Sequence, residues 1–468
     1  MEPMDRKPNI VIFMTDQQHV ETIGADGLCR TPHLNRYMEE GVAFANAFTN
    51  CPMCTPARAT ALTGLHPHEH KVVQNAHSPF AFCNKLGEGM ETIGDALRKE
   101  GYRTAYAGKW HVGHSQPEEH GFDANLRIAP REGDVERTDP IMLRDRKGEH
   151  VLASTVSSPP EQSEVFRIAS AVERWLEETA ASPEPFLLFA SCIEPHVPWH
   201  VPEPYASMYD PADLPEWDNY RDDYRDKPLT YSKHYYDVNY CRIRNDWPTM
   251  ARALAKYYGL VTMVDDAFGR IMNKLEELEK LENTVVIFTS DHGELMGRHG
   301  LVGKNELAVD DLIRIPFVVY GKNRFAPRRV DGFVTLGDLF NSTMELAGAP
   351  RRDHLDSRSF VPLLRGDPSE PRDEIVVEHH GATIHMNTIR AIRTDRYKYV
   401  YRAHEIDEFY DLLEDPGELR NRIADPAYRP AIEAMQDRLL AWAARTNDLA
   451  REGIDRAFAN PLSVEIGG

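Results

Sequence analysis

The chain reads as an α/β protein: a large, mainly parallel, doubly wound sheet followed by a smaller C-terminal antiparallel sheet with one covering helix. Three observations predict this. Buried-strand runs rich in β-branched and aromatic residues alternate with amphipathic helical stretches through most of the 468 residues, the pattern of successive βαβ units. Each run stops at a polar loop, as strands of an open parallel sheet do where they present ligand-binding side chains. After Arg372 the runs become short, alternating and separated by turn residues, which suits an antiparallel sheet.

Taken in order, Asn9-Ile-Val-Ile-Phe13 forms the first strand and runs out at Thr15-Asp16-Gln17-Gln18. Similar strands are expected at 103–107 before Gly108-Lys109, at 186–190 before Cys192, and at 284–289 before Ser290-Asp291-His292-Gly293. Helices are expected at 90–100, 164–179 and 252–281, where apolar residues recur at helical spacing. Residues 194–250, crowded with Pro, Tyr, Trp and charge, read as a long irregular excursion serving as a lid or pocket wall. Four short strands at 374–378, 388–393, 397–401 and 408–412 precede a helix at 431–445. The Pro- and Arg-rich stretch 361–373 marks the boundary. The expected division is a catalytic unit over 1–365, a small α+β unit over 366–450, and a tail or oligomer arm over 451–468.

Composition narrows the function. A chain with 41% hydrophobic and 27% charged residues is neither a coiled coil, a collagen nor a disordered segment. Its 54 basic and 74 acidic residues sum to −20, the wrong sign for gripping nucleic acid or an anionic membrane. An anionic substrate would be repelled too, unless local cations reverse the field. No signal-peptide pattern opens the sequence and no run reaches the roughly 18 apolar residues of a membrane span. Six scattered cysteines make no disulfide framework. A cytoplasmic protein is expected.

The chemistry concentrates in a few motifs. Cys51 and Cys54 stand three apart, but a structural zinc site needs a second ligand pair at matching spacing. More telling is Cys54-Thr-Pro56-Ala-Arg58, followed by Thr60, Leu62 and Thr63-Gly64. This segment resembles the signature that marks a cysteine for oxidation to formylglycine in the type I sulfatases, a branch of the alkaline phosphatase superfamily. The resemblance continues in order along nearly the whole chain. It takes in Pro8-Asn9-Ile-Val with Asp16, Thr31-Pro32-His33-Leu34, Gly41-Val42-Ala-Phe44, Gly101-Tyr102-Arg103-Thr104 and Gly108-Lys109-Trp110-His111. Ser290-Asp291-His292-Gly293-Glu294 and Tyr410-Asp411-Leu412 with Asp415-Pro416 complete it. Gln17 and His292 stand where many members have Asp and Asn; these two choices resemble the phosphonate monoester hydrolases and choline-sulfatase-like members.

The resemblance implies an alkaline phosphatase-like fold, conversion of Cys54 to 3-oxoalanine (formylglycine) by a maturation enzyme, and one divalent metal ion. The metal-side residues would be Asp16, Gln17, Cys54, Asp291 and His292. Calcium comes first, since hard cations favour oxygen ligands, and an imidazole in the set admits magnesium or manganese. A hydrated aldehyde suits sulfuryl transfer better than a thiol, because one hydroxyl attacks and the second expels sulfate. Arg58 and Lys109 would hold this hydrate, and His111 would assist the release step. His196 and Lys304 would bind the sulfate and protonate the leaving oxygen. Asn75 would contact the substrate or serve as a plain turn residue. His379, His380 and His385 would reach over the pocket or, more simply, stand as exposed turn residues. The implied activity is hydrolysis of a small sugar or aryl sulfate monoester by a homo-oligomer, a dimer or tetramer. Phosphonate monoester or phosphodiester hydrolysis on the same site is the alternative within the superfamily, with Lys109 and His111 favouring the sulfatase. A non-catalytic binder of sulfated glycans with unconverted Cys54 is the alternative of another class.

Overall fold

The computed structural model describes residues 6–76, 81, 83–128, 130, 133–145, 148–233, 246–304, 306–353, 356–368, 370–381 and 387–459. Its centre is an eight-stranded sheet in the spatial order Arg328–Val330, Val42–Phe44, Phe317–Gly321, Thr284–Ser290, Asn9–Thr15, Phe186–Ser191, Arg103–Gly108, Ala124–Leu126. Phe317–Gly321 runs antiparallel to both of its neighbours, and the remaining pairings are parallel. The four strands read from sequence are therefore adjacent, the fourth to seventh in that order. Each extends one or two residues further toward its polar loop than the apolar run alone indicates.

Every residue of Asn9–Thr15 is buried, as expected of a strand covered on both faces. Val11 and Phe13 face a core shared with helices Glu164–Thr179 and Trp247–Glu277. Ile10, Ile12 and Met14 face the opposite core, shared with helices Cys54–Thr63 and Asp338–Leu346. Helices on both faces of a mainly parallel sheet make the doubly wound α/β architecture. Glu164–Thr179 begins where the sequence indicates, with Ser163 capping the Phe166 amide. The long helix starts at Trp247 rather than 252, because Asp246 caps Thr249 and Pro248 fits the first turn. It ends at Glu277, and Leu281–Asn283 is a separate single turn.

The excursion after residue 194 is less irregular than its composition suggests. Trp199–Pro202 pairs in parallel with Gly148–Val156, which forms a hairpin with Arg137–Asp145, giving a three-stranded sheet that the sequence reading does not contain. Trp199 is fully buried, with its ring 5.0 Å from that of Tyr257 on the long helix. Burying a large indole beats the local turn signals of the flanking prolines. The four-stranded antiparallel sheet, Ile375–His379, Ile389–Arg393, Tyr397–Arg402 and Glu408–Asp411 in that order, matches the sequence reading closely. Helix Arg429–Arg445 covers it with Ile432, Met435, Leu439 and Trp442, and a further helix, Arg451–Ala459, adds Ile454 to the same core. Among the described residues no helix is long and apolar enough to cross a membrane.

Candidate active site

Register builds the site. Thr15 pairs with Ser290, so the next residues, Asp16 and Asp291, emerge side by side at the strand ends. Ser191 pairs with Gly108 on the next strand, which brings Lys109 to the same edge. Gly108 is required there: its φ is +89°, and a Cβ would lie 2.0 Å from the Ser191 carbonyl oxygen.

Cys54 is the first residue of helix Cys54–Thr63, all ten residues of which are buried. Such a helix is held by burial on every side rather than by an amphipathic stripe. Gly64 ends it in the left-handed conformation, φ 71°, its amide donating to Thr60 O. Residues four apart share a helix face, so Arg58 lies one turn behind Cys54 and points the same way. Asn75 fastens the helix start, its Oδ1 accepting from the Thr55 amide at 3.1 Å.

The nucleophile candidate is closely surrounded. Cys54 Sγ lies 3.6 Å from Asp16 Oδ1, 3.4 Å from His292 Nε2 and 2.9 Å from Lys304 Nζ. Arg58 donates from Nε to Asp291 Oδ2 at 2.9 Å and from Nη1 to Ser191 Oγ at 2.6 Å and Lys109 O at 3.0 Å. Its Nη2, buried and without a hydrogen bond among the described residues, sits 3.6 Å from Asp16 Oδ2. Lys109 Nζ pairs with the same Asp16 oxygen. Lys304 also donates to Gln17 Oε1 at 2.8 Å and faces His196 Nε2 at 3.0 Å. The His196 Nδ1–H donates to Val197 O, leaving Nε2 as the acceptor.

These contacts set the protonation states. Burial, followed by the charges of Lys304 and Lys109, pushes the His196 imidazole well below its usual range. Burial likewise takes His292 down to about 3, with Lys304 adding to the effect and Asp291 opposing it. Burial also lowers Lys109 to about 8, against the pull of Asp291. Burial works against ionised Asp291, but His292, Arg58, Lys109 and Lys304 together hold its carboxyl well below the ordinary range. Burial raises the Cys54 thiol, and the Lys304 charge partly offsets it.

A family model described as Sulfatase matches residues 8–349, and one described as N-sulphoglucosamine sulphohydrolase, C-terminal, matches 297–445. The chain belongs to the sulfatase family. Its relatives include a protein of Trinickia caryophylli named Multifunctional alkaline phosphatase superfamily protein PehA, 30% identical over 94% of this chain and 95% of the relative. An arylsulfatase of Clostridium perfringens is 29% identical over 93% and 94%. Among solved structures, a phosphonate monoester hydrolase from Silicibacter pomeroyi shares the fold with a TM-score of 0.80, at 21% identity over 94% of this chain and 96% of that one.

Sulfatases are sulfuric ester hydrolases, and this one has a donor set suited to a divalent cation. Asp16, Cys54, Asp291 and His292 offer one ligand atom each, all within 4.8 Å of one another. Both carboxylates are fully buried, and Arg58 and Lys109 supply the positive charge that this burial requires. The His292 Nδ1–H donates to Gly293 O at 2.9 Å, which turns the Nε2 lone pair toward the cluster. Gln17 is adjacent but differently employed: its amide is spanned between Lys304 and Glu294, with φ 63° placing the side chain across the gap. His111 stands two residues beyond Lys109 in the left-handed region, φ 50°. His379 is buried, and His380 donates from Nε2 to the buried Glu378 at 2.8 Å, so neither is an exposed turn residue. His385 lies outside the described residues.

Sequence reading assigned no role to Ser191 or Glu294. Ser191, like Thr15, Gly108 and Ser290, is the last residue of its strand, and this shared position is the signal that could have found it. Glu294 accepts from Gln17 Nε2 and from the Gly303 and Met296 amides, so it fixes which end of the Gln17 amide faces Lys304. It falls within the Ser290-Asp291-His292-Gly293-Glu294 motif, but nothing local marks its partner, 277 residues away.

Proposed function

We propose that this sulfatase hydrolyses a small sulfate monoester, a sugar or aryl sulfate, with a formylglycine derived from Cys54 as nucleophile and one divalent cation, calcium first. The observation that carries the reading is Cys54 at a helix start, within 3.6 Å of Asp16 and His292 and 2.9 Å from Lys304. When bound, the cation would polarise the sulfate oxygens and lower the pKa of the hydroxyl supplied by the formylglycine hydrate. Asp16, Asp291, His292 and position 54 would hold it, with Gln17 alongside.

The chain's own side chains divide the remaining work. Arg58 and Lys109 orient the nucleophile and neutralise Asp291 and Asp16. Lys304 and His196 bind the sulfate and deliver the proton to the leaving oxygen. Lys304 is the immediate donor, and the uncharged His196 ring holds it through Nε2. His111 assists release, and Asn75 faces the substrate from the start of the nucleophile helix. Formal charges support the cation: Arg58, Lys109 and Lys304 cancel Asp16, Asp291 and Glu294, so a dication leaves a net +2 facing the anionic ester. We place this chemistry in residues 1–365, with 366–450 flanking the pocket and 451–468 available for oligomer contacts. A cytoplasmic location accompanies this reading.

Intact mass tests the nucleophile: conversion of Cys54 lowers the mass by the difference between thiol and aldehyde. If protein made together with the maturation enzyme shows no such loss, the catalytic reading fails and a sulfated-glycan binder takes its place. Gln17 and His292 keep phosphonate monoester or phosphodiester hydrolysis as the second reading. Matured enzyme should show a higher kcat/KM for an aryl sulfate than for an aryl phosphonate monoester, and the opposite order would select the second reading. A panel of sulfated monosaccharides and aryl sulfates identifies the alcohol portion.

A further inference from the structure

We propose that the unconverted chain, with Cys54 still a thiol, is a zinc protein: Cys54, His292, Asp16 and Asp291 bind Zn2+ far more tightly than the hard cation suited to the converted enzyme. The inference rests on the cation-site reading above but concerns a different state of the protein.

The first argument is donor chemistry. One sulfur, one imidazole nitrogen and two carboxylate oxygens form a mixed set of the kind zinc takes in tetrahedral sites, whereas calcium requires six or more oxygens. Sulfur and nitrogen ligands select zinc over calcium and magnesium. Asparagine at position 292 would remove the imidazole, and conversion of Cys54 replaces the sulfur with oxygen. The zinc preference therefore belongs to this sequence before maturation.

The second argument is spacing. Ligand atoms around tetrahedral zinc lie about 3.3–3.6 Å apart, given metal–ligand lengths of about 2.0–2.3 Å. Here Sγ to Nε2 is 3.4 Å, Sγ to Asp16 Oδ1 3.6 Å, Nε2 to Asp16 Oδ1 3.8 Å and Nε2 to Asp291 Oδ1 3.7 Å. Gln17 Oε1, which would raise the coordination number, is engaged by Lys304.

The third argument is the support behind each ligand. His292 Nδ1 is tied to Gly293 O, so the ring presents Nε2 to the ion. Asp291 Oδ2 is held by Arg58 and Asp16 Oδ2 by Lys109; Asp291 Oδ1 accepts the Gln17 amide at 3.1 Å, a single hydrogen bond that leaves this oxygen a second lone pair for an ion. Lys304, 2.9 Å from Sγ, stands ready as the thiolate's counterion once the thiol proton has left to solvent. Such outer hydrogen bonds orient ligands and raise affinity. Zinc bound here would occupy the nucleophile itself, so unconverted molecules would be silent in turnover yet metal-loaded.

The test uses full-length protein made without the maturation enzyme, its thiol verified by intact mass and its metal removed. Titration calorimetry with ZnCl2 and with CaCl2 should show zinc binding at least ~10³-fold tighter. Cobalt(II), as a spectroscopic stand-in, should give the intense thiolate-to-metal charge-transfer band and the visible bands of a tetrahedral site. Cys54→Ala should abolish that charge-transfer band, and His292→Asn, a separate variant should the first misfold, should weaken zinc at least 100-fold while leaving calcium within a few-fold. Calcium binding as tightly as zinc, or a charge-transfer band that survives Cys54→Ala, overturns this inference alone. Binding of neither ion also overturns this inference, and the cation-site reading falls with it if converted protein titrated in the same way binds neither.

Discussion

Arg58 shows how much one side chain organises here. Its guanidinium reaches Asp291, Ser191 and the Lys109 carbonyl at once, from a helix position that points it the same way as Cys54. A planar fork makes these contacts simultaneously, and an ammonium cannot. Arg58→Lys should therefore lower kcat/KM for the best sulfate ester by about 10²–10³-fold with an unchanged circular dichroism spectrum. A loss below threefold would show that the fork is dispensable. At this scale the sequence was legible where a motif carried residues that the fold brings together: Cys54 with Arg58, and Asp291 with His292. Ser191 and Glu294 escaped because their partners come from distant parts of the chain, and no local pattern encodes a contact across 277 residues.

At the scale of elements, strand ends and helix starts create the site, and the tight joints between them are vulnerable. Gly108 closes the strand that delivers Lys109, with Ser191 O where a Cβ would stand. Gly108→Ala should cost about 2–4 kcal/mol in urea denaturation, since both a positive φ and a backbone clash oppose it. A second joint lies where helix Pro67–His70 meets the antiparallel sheet. His68 Nδ1 pairs with Glu378 at 2.6 Å. His66, His70, His380, Arg390 and Asp448 surround the pair. Burial opposes a charge on His68, but the hydrogen bond and charge of Glu378 prevail and raise it from 6.5 to about 9. A raised imidazole contributes stability that is complete below pH 6.5 and is lost as pH climbs to about 9. Urea midpoints measured from pH 6 to 9.5 should fall across that window, and Glu378→Gln should flatten the fall. An equally steep decline in the variant would assign the effect elsewhere.

Over the whole molecule, the net charge of −20 acts against large anions, whereas the proposed substrate is a small one. The side-chain cations are not surplus: Lys109 and Arg58 are spent on Asp16 and Asp291, so under the proposed function the attraction for sulfate would depend on the divalent cation. A sulfated polysaccharide should accordingly show a lower kcat/KM per ester than a sulfated monosaccharide, with the gap narrowing as salt screens the global field. A polymer favoured at low ionic strength would refute this. The sequence by itself determined the sheet's central strands, the antiparallel sheet with its helix, and the identity of the chemical groups. Those features are written in short-range patterns of burial, turn chemistry and linked motifs. Only the tertiary structure decided the reversed Phe317–Gly321 strand, the sheet joining Trp199–Pro202 to Gly148–Val156, and the place of Glu294 behind Gln17. Strand direction, pairing and side-chain partnership depend on which surfaces are buried together, and that is settled by packing across the whole chain rather than by any local run of residues.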